Sequence, residues 1–424
     1  MKRAYASLKF VAGVVILGSI LVAAQENVLH AFGSNGDGET PLAAVISDKS
    51  GNLYGATSEG GAYGIGTVYE LVRPTSGQAW TEKVLYSFGT NSGDGGNPAA
   101  GLVLDSAGNL YGSTFANNGA HLPTVFELSP PGIAGGSWTE SVIYTFSGSG
   151  KGNSGVGTGG LVFGKGGRLY GVTVYGGADN GGVFELQPPT VPGGAWKEAP
   201  IFDFDVTDGQ EPEYGGASLT FDTAGNLYGT TVFGGTTDNG VAFELSPPVA
   251  GGAWIETILY NFGATPTDGI IPVCKLIFDS AGNLYGTTSY GGANNQGTVF
   301  ELSPPSVPGN PWVESILHNF TGADGSDIRA GVIFDKAGNL YGTALLGGSG
   351  HAGDGTVYEL SPPAVAGEPW TETTLHNFTG GADGGWAFAG LLMAPSGILY
   401  GTASLGGVSG CQENGCGVIY EVKP

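Results

Sequence analysis

One phrase is repeated along this chain at nearly constant spacing. It reads DSAGNLYGTT at 279–288, DSAGNLYGST at 105–114 and DTAGNLYGTT at 222–231. Its tyrosine recurs at intervals of 56 to 59 residues, at Tyr54, Tyr111, Tyr170, Tyr228, Tyr285, Tyr341 and Tyr400. A period of this size indicates a repeat architecture in which each unit is one supersecondary element. The repeat therefore constrains the fold more than any other feature of the sequence.

Each repeated unit contains four short runs that are typical of β-strands. Strand A is an apolar run such as GLVLD at 101–105, and a D-x-x-G-N turn leads from it into strand B, LYGTT. A glycine-rich loop precedes strand C, TVFEL, and a proline-rich link precedes strand D, WVESILHNF. Four antiparallel strands in each of seven units are typical of a β-propeller. The 81 glycines among 424 residues recur at fixed places in the unit, so we interpret them as turn residues.

The two ends of the chain each carry part of one unit. The tryptophan phrase that opens strand D occurs six times, and the last unit stops after strand C, at Glu421 and Val422. Residues 26–33, ENVLHAFG, align without a gap with EKVLYSFG at 82–89. We therefore predict that 26–33 supplies the outer strand of the last blade, which closes the ring and covers its edges. The predicted fold is all-β, a seven-bladed propeller of four-stranded antiparallel blades that spans 25–424.

The repeated side chains have structural explanations. If strands B and C pair as a hairpin, Tyr285 lies opposite Glu301 and Gly286 lies opposite Phe300. Glycine opposite an aromatic ring is a known cross-strand arrangement, and tyrosine can donate a hydrogen bond to a partly buried glutamate. The turn aspartate can accept hydrogen bonds from nearby backbone amides. A residue that is present in every blade cannot form a unique site, so we interpret the repeated Tyr, Glu, Asp and Trp as packing and turn residues.

Residues 1–24 have the pattern of a secretory signal peptide. Lys2, Arg3 and Lys9 precede or flank an apolar stretch at 10–24, and its end has the small residues of a cleavage site. An uncleaved anchor is the alternative, although about 20 apolar residues are needed to span a bilayer. We expect a secreted or periplasmic protein with no membrane association after cleavage.

Charge and cysteine content limit the partners. The net charge of −23 becomes −26 when the three cations of 1–24 are removed. A strongly acidic surface repels phosphate backbones, so we expect no nucleic-acid partner. We also expect a monomer with no cofactor and no metal. Cys411 and Cys416 lie in one glycine-rich loop, where we predict a disulfide, with a metal pair as the alternative. Cys274 is interpreted as a buried thiol.

The chain resembles the GloVer-type tandem-repeat exported proteins of bacteria. The resemblance rests on GNLYGTT, the YGG-type loop, GTVFELSPP, W-[TV]-E and F-x-x-x-DG, and it covers 26–424. It implies export and a propeller fold, and it implies no reaction. Members of that family end in various anchors, and we expect none after the terminal VKP. The strand order is also similar to that of NHL-type and SMP-30-type propellers.

Candidate binding residues lie where the repeat varies. In propellers the D–A and B–C loops surround the mouth of the central channel. The D–A loops here share an Asp-Gly frame, and the second and fourth residues after its glycine differ between blades. These positions enter strand A, so we expect their side chains to ring the mouth. The charged and aromatic ones, which we predict to be ligand-binding, are Glu211, Glu213, Asp327, Arg329, Trp386 and Phe388.

This composition favours binding over catalysis. Carboxylates, a guanidinium and an aromatic platform would suit a sugar or a peptide, and a solvated rim with an Asp327–Arg329 pair is the alternative. The sequence has no G-x-S-x-G elbow and no H-E-x-x-H, and we predict no catalytic residue. We favour a secreted, non-catalytic binding propeller for a glycan or protein ligand. The alternatives are an extracellular lyase or hydrolase that uses Glu211 and Glu213 at the channel mouth, and a structural surface scaffold.

Overall fold

The computed structural model describes most of the chain after the predicted signal segment. The described residues are 24–33, 36–75, 78–115, 121–133, 135–146, 159–174, 180–191, 193–212, 219–249, 251–307, 309–349, 353–365, 367–407, 411 and 415–424. Residues 1–23 of the predicted signal peptide therefore lie outside the described residues. Within the described ranges, no helix is both long enough and apolar enough to cross a membrane.

The described strands form seven four-stranded antiparallel sheets, which confirms the predicted propeller. Each sheet is one blade and runs from strand A at the central channel to strand D at the outer edge. The A strands, in blade order, are Ile46–Ser47, Val103–Leu104, Val162–Phe163, Thr220–Phe221, Ile277–Phe278, Ile333–Phe334 and Leu392–Met393. The B strands are Leu53–Thr57, Leu110–Ser113, Leu169–Thr173, Leu227–Thr230, Leu284–Thr288, Leu340–Ala344 and Leu399–Ala403.

The outer two strands of each blade are longer. The C strands are Thr67–Val72, Thr124–Ser129, Gly182–Gln187, Val241–Ser246, Thr298–Ser303, Thr356–Ser361 and Val418–Lys423. The D strands, with that of blade seven last, are Thr81–Ser87, Thr139–Thr145, Lys197–Asp203, Ile255–Asn261, Val313–Asn319, Thr371–Asn377 and Gln25–Ala31. One 3-10 turn, Lys165–Gly167, connects strands A and B of blade three.

The ring is closed by the N-terminal strand, as predicted. Gln25–Ala31 pairs antiparallel with Val418–Lys423, so that Gln25 lies opposite Lys423 and Ala31 lies opposite Val418. The Phe32 amide then donates to the Gly417 carbonyl at 3.0 Å. The observed strand begins one residue before the predicted segment and ends at Ala31, because the chain turns into the next loop at Phe32, which is fully buried.

The predicted hairpin register is confirmed. Tyr285 lies opposite Glu301, and Gly286 lies opposite Phe300. A Cβ atom on Gly286 would lie 2.6 Å from the Phe300 ring, closer than real Cβ atoms approach their neighbours. Glycine is therefore required here by the aromatic ring that covers it.

The repeated turn aspartates act as predicted. The Asp105 Oδ1 atom accepts hydrogen bonds from the amides of Ala107 and Asn109 at 2.8 and 2.9 Å. Its Oδ2 atom accepts one from the Asn109 side chain at 2.9 Å. The aspartate thus accepts hydrogen bonds from the backbone amides of its own turn.

The hydrophobic core is divided between the blades. At the boundary of blades four and five, Tyr228 and Phe262 of one blade cluster with Leu276, Leu284 and Phe300 of the next. Repeated tyrosines also pack against the tryptophan of the following blade; the Tyr54 and Trp138 ring centroids are 6.5 Å apart. The recurring aromatic residues therefore hold adjacent blades together.

Two of the three cysteines are joined. Cys411 and Cys416 form a disulfide in the B–C loop of blade seven, with their Cα atoms 5.3 Å apart. Cys416 is buried against Phe32 of the closing strand. Cys274 is a buried free thiol beneath Gly286.

Candidate functional site

The D–A and B–C loops pair with each other at one face of the ring. Gly269–Ile270 forms a short ladder with Tyr290–Gly291, and Gly38–Glu39 forms the same ladder with Glu59–Gly60. In other blades a single bridge replaces the ladder, as between Gly385 and Leu405. The variable D–A positions are therefore held next to the B–C loop of their own blade.

The variable second position has a left-handed backbone in every blade where it is described. These residues have φ between 51° and 60°, and they are Thr40, Asn97, Glu211, Ile271, Asp327 and Trp386. Residues other than glycine rarely adopt this region, and β-branched residues do so least of all. Such backbone strain persists only where several contacts from the surrounding structure hold the residue in place.

Backbone hydrogen bonds to two blades hold this conformation. The Trp386 amide donates to the Asp354 carbonyl of the preceding blade at 2.9 Å, and its carbonyl accepts from Ser404 of its own blade at 3.2 Å. Ile271 is bonded in the same way to Asn239 and Ser289, at 3.0 Å each. The backbone of the mouth is therefore fixed while its side chains vary.

Arg329 is the centre of a cluster of side chains from three blades. Its Nε and Nη2 atoms donate to the two carboxylate oxygens of Asp327 at 3.0 and 2.9 Å. Its guanidinium lies 5.5 Å from the centroid of the Phe388 ring. Burial alone would lower the pKa of Arg329, but hydrogen bonds and charge from Asp327, with a smaller contribution from Tyr290, raise it. The guanidinium is therefore firmly charged and oriented.

Two exposed aromatic residues lie in the loops next to this pair. Tyr290, which interacts with Arg329, is 38% exposed, and Trp386 is also 38% exposed. Trp386 is two residues from Phe388, whose amide donates to the Trp386 carbonyl at 3.0 Å. We call Tyr290, Asp327, Arg329, Trp386 and Phe388 the mouth cluster. Tyr290 was missed in the sequence because it belongs to a repeated YGG-type loop.

Of the two predicted glutamates, Glu211 does not join this cluster in the described structure. Glu211 lies in the loop that precedes blade four, and burial raises the pKa of its carboxyl group with no contribution from a neighbouring charge. No described contact connects Glu211 with Arg329, Trp386 or Phe388. Glu213 lies outside the described residues. The proposed acid/base pair of Glu211 and Glu213 therefore stays a prediction.

The mouth cluster opens into the central channel. The channel contains a cavity of about 370 Å³ that is lined mainly by small and aliphatic residues of the A strands. Arg329 and Phe388 both line this cavity, and so does Lys275. The channel is therefore apolar with a few basic groups, a composition typical of ligand pockets.

A larger cavity lies between blades three and four, away from the predicted site. It measures about 710 Å³ and is lined by Tyr170, Glu185, Arg168 and Trp254, among others. Blade three has GKGGR at 164–168 in place of the D-x-x-G-N turn, and Arg168 there bonds Glu185 at 2.5 Å. Tyr170, Glu185 and Trp254 are copies of repeated packing residues, so size alone does not make this cavity the better candidate.

Histidines near the D–A loops are paired with aspartates. His30, His318 and His376 bond Asp37, Asp324 and Asp383 at 3.2, 3.0 and 3.2 Å. Each ring also packs edge-on against the buried phenylalanine that follows its strand. In the described part of the chain, no group of three or more His, Cys, Asp or Glu side chains could hold a metal ion.

Comparison with known proteins identifies the family. Residues 17–217 and 192–309 match the model of the Gloeobacter/Verrucomicrobia repeat, so more than half of the chain is covered. The chain belongs to this family. Membership of the Gloeobacter/Verrucomicrobia repeat family confirms the resemblance drawn from the repeated phrases. No functionally curated protein matches the chain at a significant level.

Solved structures similar to this Gloeobacter/Verrucomicrobia repeat protein include proteins of differing function. The PQQ-bound aldose sugar dehydrogenase of Streptomyces coelicolor is 13% identical, with a TM-score of 0.47, over 94% of this chain and 98% of that one. A putative 6-phosphogluconolactonase from Bacteroides uniformis is 13% identical, with a TM-score of 0.47, over 78% and 84%. PorZ, a surface component of the type-IX secretion system of Porphyromonas gingivalis, is 15% identical, with a TM-score of 0.44, over 84% and 44%. Similarity at this level says nothing about what the chain binds.

Proposed function

We propose that this protein is a secreted or periplasmic binding propeller that takes a glycan or protein ligand at the channel mouth and catalyses no reaction. The observation that supports this function most is the mouth cluster, in which Asp327 binds the Arg329 guanidinium through both carboxylate oxygens and the loops next to this pair carry the exposed residues Tyr290 and Trp386. The cluster combines residues of three consecutive blades, so no single blade contains it.

The chemistry of the cluster suits sugars and peptides. Tyrosine and tryptophan combine a large apolar face with a polar edge, which allows stacking and hydrogen bonding at the same site. A guanidinium recognises planar oxygen pairs through its fixed N–H groups. Exposed tryptophan, tyrosine and arginine are also the residues most often found at binding hot spots.

The rigid mouth backbone supports binding without large rearrangement. The variable positions are bonded to two blades at once, as described for Trp386 and Ile271. A site that is already ordered loses less conformational entropy when a ligand binds, and this improves affinity. We therefore expect the free and bound forms to share the same loop conformation.

Glycan-array and pull-down screening of residues 25–424, followed by titration of each identified ligand, tests this function. Trp386→Ala should weaken binding at least about tenfold, or about 1.4 kcal/mol. The melting temperature should change little, because Trp386 is partly exposed. Tyr63→Ala is the control, since Tyr63 is an aromatic residue of a blade-one loop that is 57% exposed and lies outside the mouth cluster. Equal affinity of Trp386→Ala and the parent for every ligand would contradict the proposal and support a scaffold role.

An extracellular lyase or hydrolase is the alternative function. The observation that favours it is the raised carboxyl pKa of Glu211, which a general acid would need. The double variant Glu211→Gln, Glu213→Gln separates the two functions. Loss of turnover with unchanged ligand affinity would replace the binding function with an enzymatic one.

A further inference from the structure

One position at the start of the A strands has a different type of residue in blade five than in the other described blades. It is the residue just before the first buried aliphatic residue of the strand. In the described blades it is Ala44, Gly101, Gly160, Lys275, Gly331 and Gly390. Its equivalent in blade four, Ser218, lies outside the described residues. Glycine or alanine thus stands where blade five has lysine.

All six of these residues line the central cavity of about 370 Å³. At this level of the channel, Lys275 is therefore the only described residue with a side chain longer than a methyl group. A Cβ atom on Gly101 would have no neighbour within 4 Å, so the space next to this glycine is open, whereas a Cβ atom on Gly331 would lie 2.4 Å from the Lys275 carbonyl oxygen. The small residues leave room in the channel for the lysine and for a ligand beside it.

The charge of Lys275 has no protein partner in the described part of the chain. The charged residues that line the cavity are Lys275 and Arg329, and no described carboxylate lines it. Asp327 binds Arg329 through both carboxylate oxygens, whereas no described hydrogen bond or ion pair involves the Lys275 amine. Lys275 is exposed to the water of the channel. Packing does not explain the lysine, because the other described blades have glycine or alanine at this position.

The surroundings of the amine favour an anion. Its side chain is exposed to the water of the channel, and desolvation by the channel wall lowers the pKa of the amine. The protein as a whole carries a net charge of −23, so the basic character of the described channel lining contrasts with it. A cleft of one sign of charge with low-dielectric walls concentrates ions of the opposite sign.

We propose that Lys275 is the anchor of an oxyanion-binding site inside the central channel, which takes a phosphate ion or the carboxylate of a small acidic sugar. The ammonium group would donate charge-assisted hydrogen bonds to the oxyanion. The glycines of the ring would let the ligand approach the A strands closely. This site does not depend on the function proposed for the mouth cluster.

Titration calorimetry and thermal shift with three probes test the site. Inorganic phosphate and D-glucuronate represent the two sources of an oxyanion, and D-glucose is the neutral control. At low salt and neutral pH, at least one anion should bind the parent and raise its melting temperature, whereas glucose should not. Lys275→Met should weaken anion binding at least tenfold. Lys336→Met, which removes an exposed lysine from a turn of blade six, should bind as the parent does.

Two further variants remove ambiguity. Lys275→Gly restores the residue that most other blades have, so it should fold and still lose the anion. Trp386→Ala should keep phosphate binding, which separates this site from the mouth. Binding of phosphate alone would identify a free ion as the occupant, and binding of glucuronate alone would identify an acidic sugar. The proposal is overturned if neither anion binds the parent, or if both Lys275 variants bind as tightly as the parent.

Discussion

Glu314 and Asp268 meet at the boundary between blades four and five. The Tyr260 hydroxyl lies 3.0 Å from the Asp268 Oδ2 atom and 3.2 Å from the Glu314 Oε2 atom. Asp268 is only 3% exposed. Burial, and then the charge of Asp268, raise the pKa of Glu314 to about 8. Glu314 therefore holds its proton near neutral pH.

Similar pairs recur around the ring. Burial, followed by the charge of the nearby loop aspartate, raises the pKa of Glu26, Glu140 and Glu256 to about 7. The pKa of a glutamate in the unfolded chain is about 4.3. The folded protein therefore holds these protons over a pH range in which the unfolded chain has released them.

We expect the free energy of unfolding to fall as the pH rises from 5 to 9. A carboxyl group with a raised pKa contributes its full stabilisation below the unfolded pKa, and this contribution is lost as the pH rises through the folded pKa of about 7 or 8. Between the two pKa values each group changes stability by up to about 1.4 kcal/mol per pH unit. Denaturant unfolding at several pH values measures the slope.

Glu314→Gln should flatten this dependence and raise stability at pH 8.5, because the amide stays neutral and still donates to Asp268. Glu368→Gln, at an exposed position of blade six, is the control and should keep the slope of the parent. Burial would raise the pKa of Asp324, but hydrogen bonds from His318 and Thr321 lower it to about 2. This carboxylate therefore stabilises the fold at neutral pH, and its contribution is lost only as the pH falls into the acid range. An identical pH profile for Glu314→Gln and the parent would show that this carboxyl group does not hold the proton.

Deletion of residues 25–33 should sharply lower the melting temperature. Strand Val418–Lys423 would then lose its outer neighbour and present an unpaired edge, which favours aggregation. A synthetic peptide of residues 25–33, added in trans, should restore much of the lost stability. A scrambled peptide of the same composition is the control. Unchanged melting of the deletion variant would mean that the ring is held without this strand.

Gly286→Ala should destabilise the protein by about 1–3 kcal/mol, the usual cost of overpacking. The new methyl group would lie 2.6 Å from the Phe300 ring and 2.8 Å from the Cys274 sulfur atom. Gly101→Ala is a matched control, because a Cβ atom there meets nothing within 4 Å and neither glycine has a positive φ. Equal melting temperatures for the two variants would contradict the packing argument.

Glu185→Ala should cost more than Glu301→Ala, although the two residues occupy the same place in the repeat. Glu185 accepts hydrogen bonds from Arg168, Tyr170 and Gln187 at 2.5, 2.8 and 2.7 Å. Glu301 accepts one from Ser303 at 2.9 Å and faces Tyr285. We expect about 3 kcal/mol for the first variant and about 1 kcal/mol for the second. Denaturant unfolding measures both values.

Neither of these two variants should change ligand affinity at the mouth, since both glutamates lie in strand C. Reduced affinity of Glu301→Ala at unchanged stability would show that a repeated residue has a functional role after all.

The repeat predicts the scaffold well because its constraints are local. The opposition of Tyr285 and Glu301 follows from a hairpin with alternating side chains, and the closing strand follows from one gapless alignment. Both depend on residues near in sequence or on a phrase present many times. Where the sequence of one unit departs from the pattern, the other six units still show which residues form each strand.

The site is less predictable because it depends on contacts between units. The left-handed backbone at Trp386 and its equivalents comes from hydrogen bonds to the preceding blade. A β-branched residue such as Ile271 disfavours this conformation, so its sequence does not predict it. Tyr290 belongs to a repeated phrase, yet its ring meets Arg329 of the next blade, a contact that the phrase itself does not indicate. Lys275 could have been found from the sequence, as the one charged residue in an alignment column of glycine, alanine and serine.

The antiparallel closure of the ring also determines how the molecule responds to force. Gln25 and Lys423 lie opposite each other at the same end of their strand pair. The hydrogen bonds of such a pair run perpendicular to the strands. A pull that separates these two residues therefore loads the bonds one after another, as in the unzipping of a hairpin, and never shears them together. Under tension the pairing between Gln25–Ala31 and Val418–Lys423 would break first. Blade seven would then open while the other six blades stay folded.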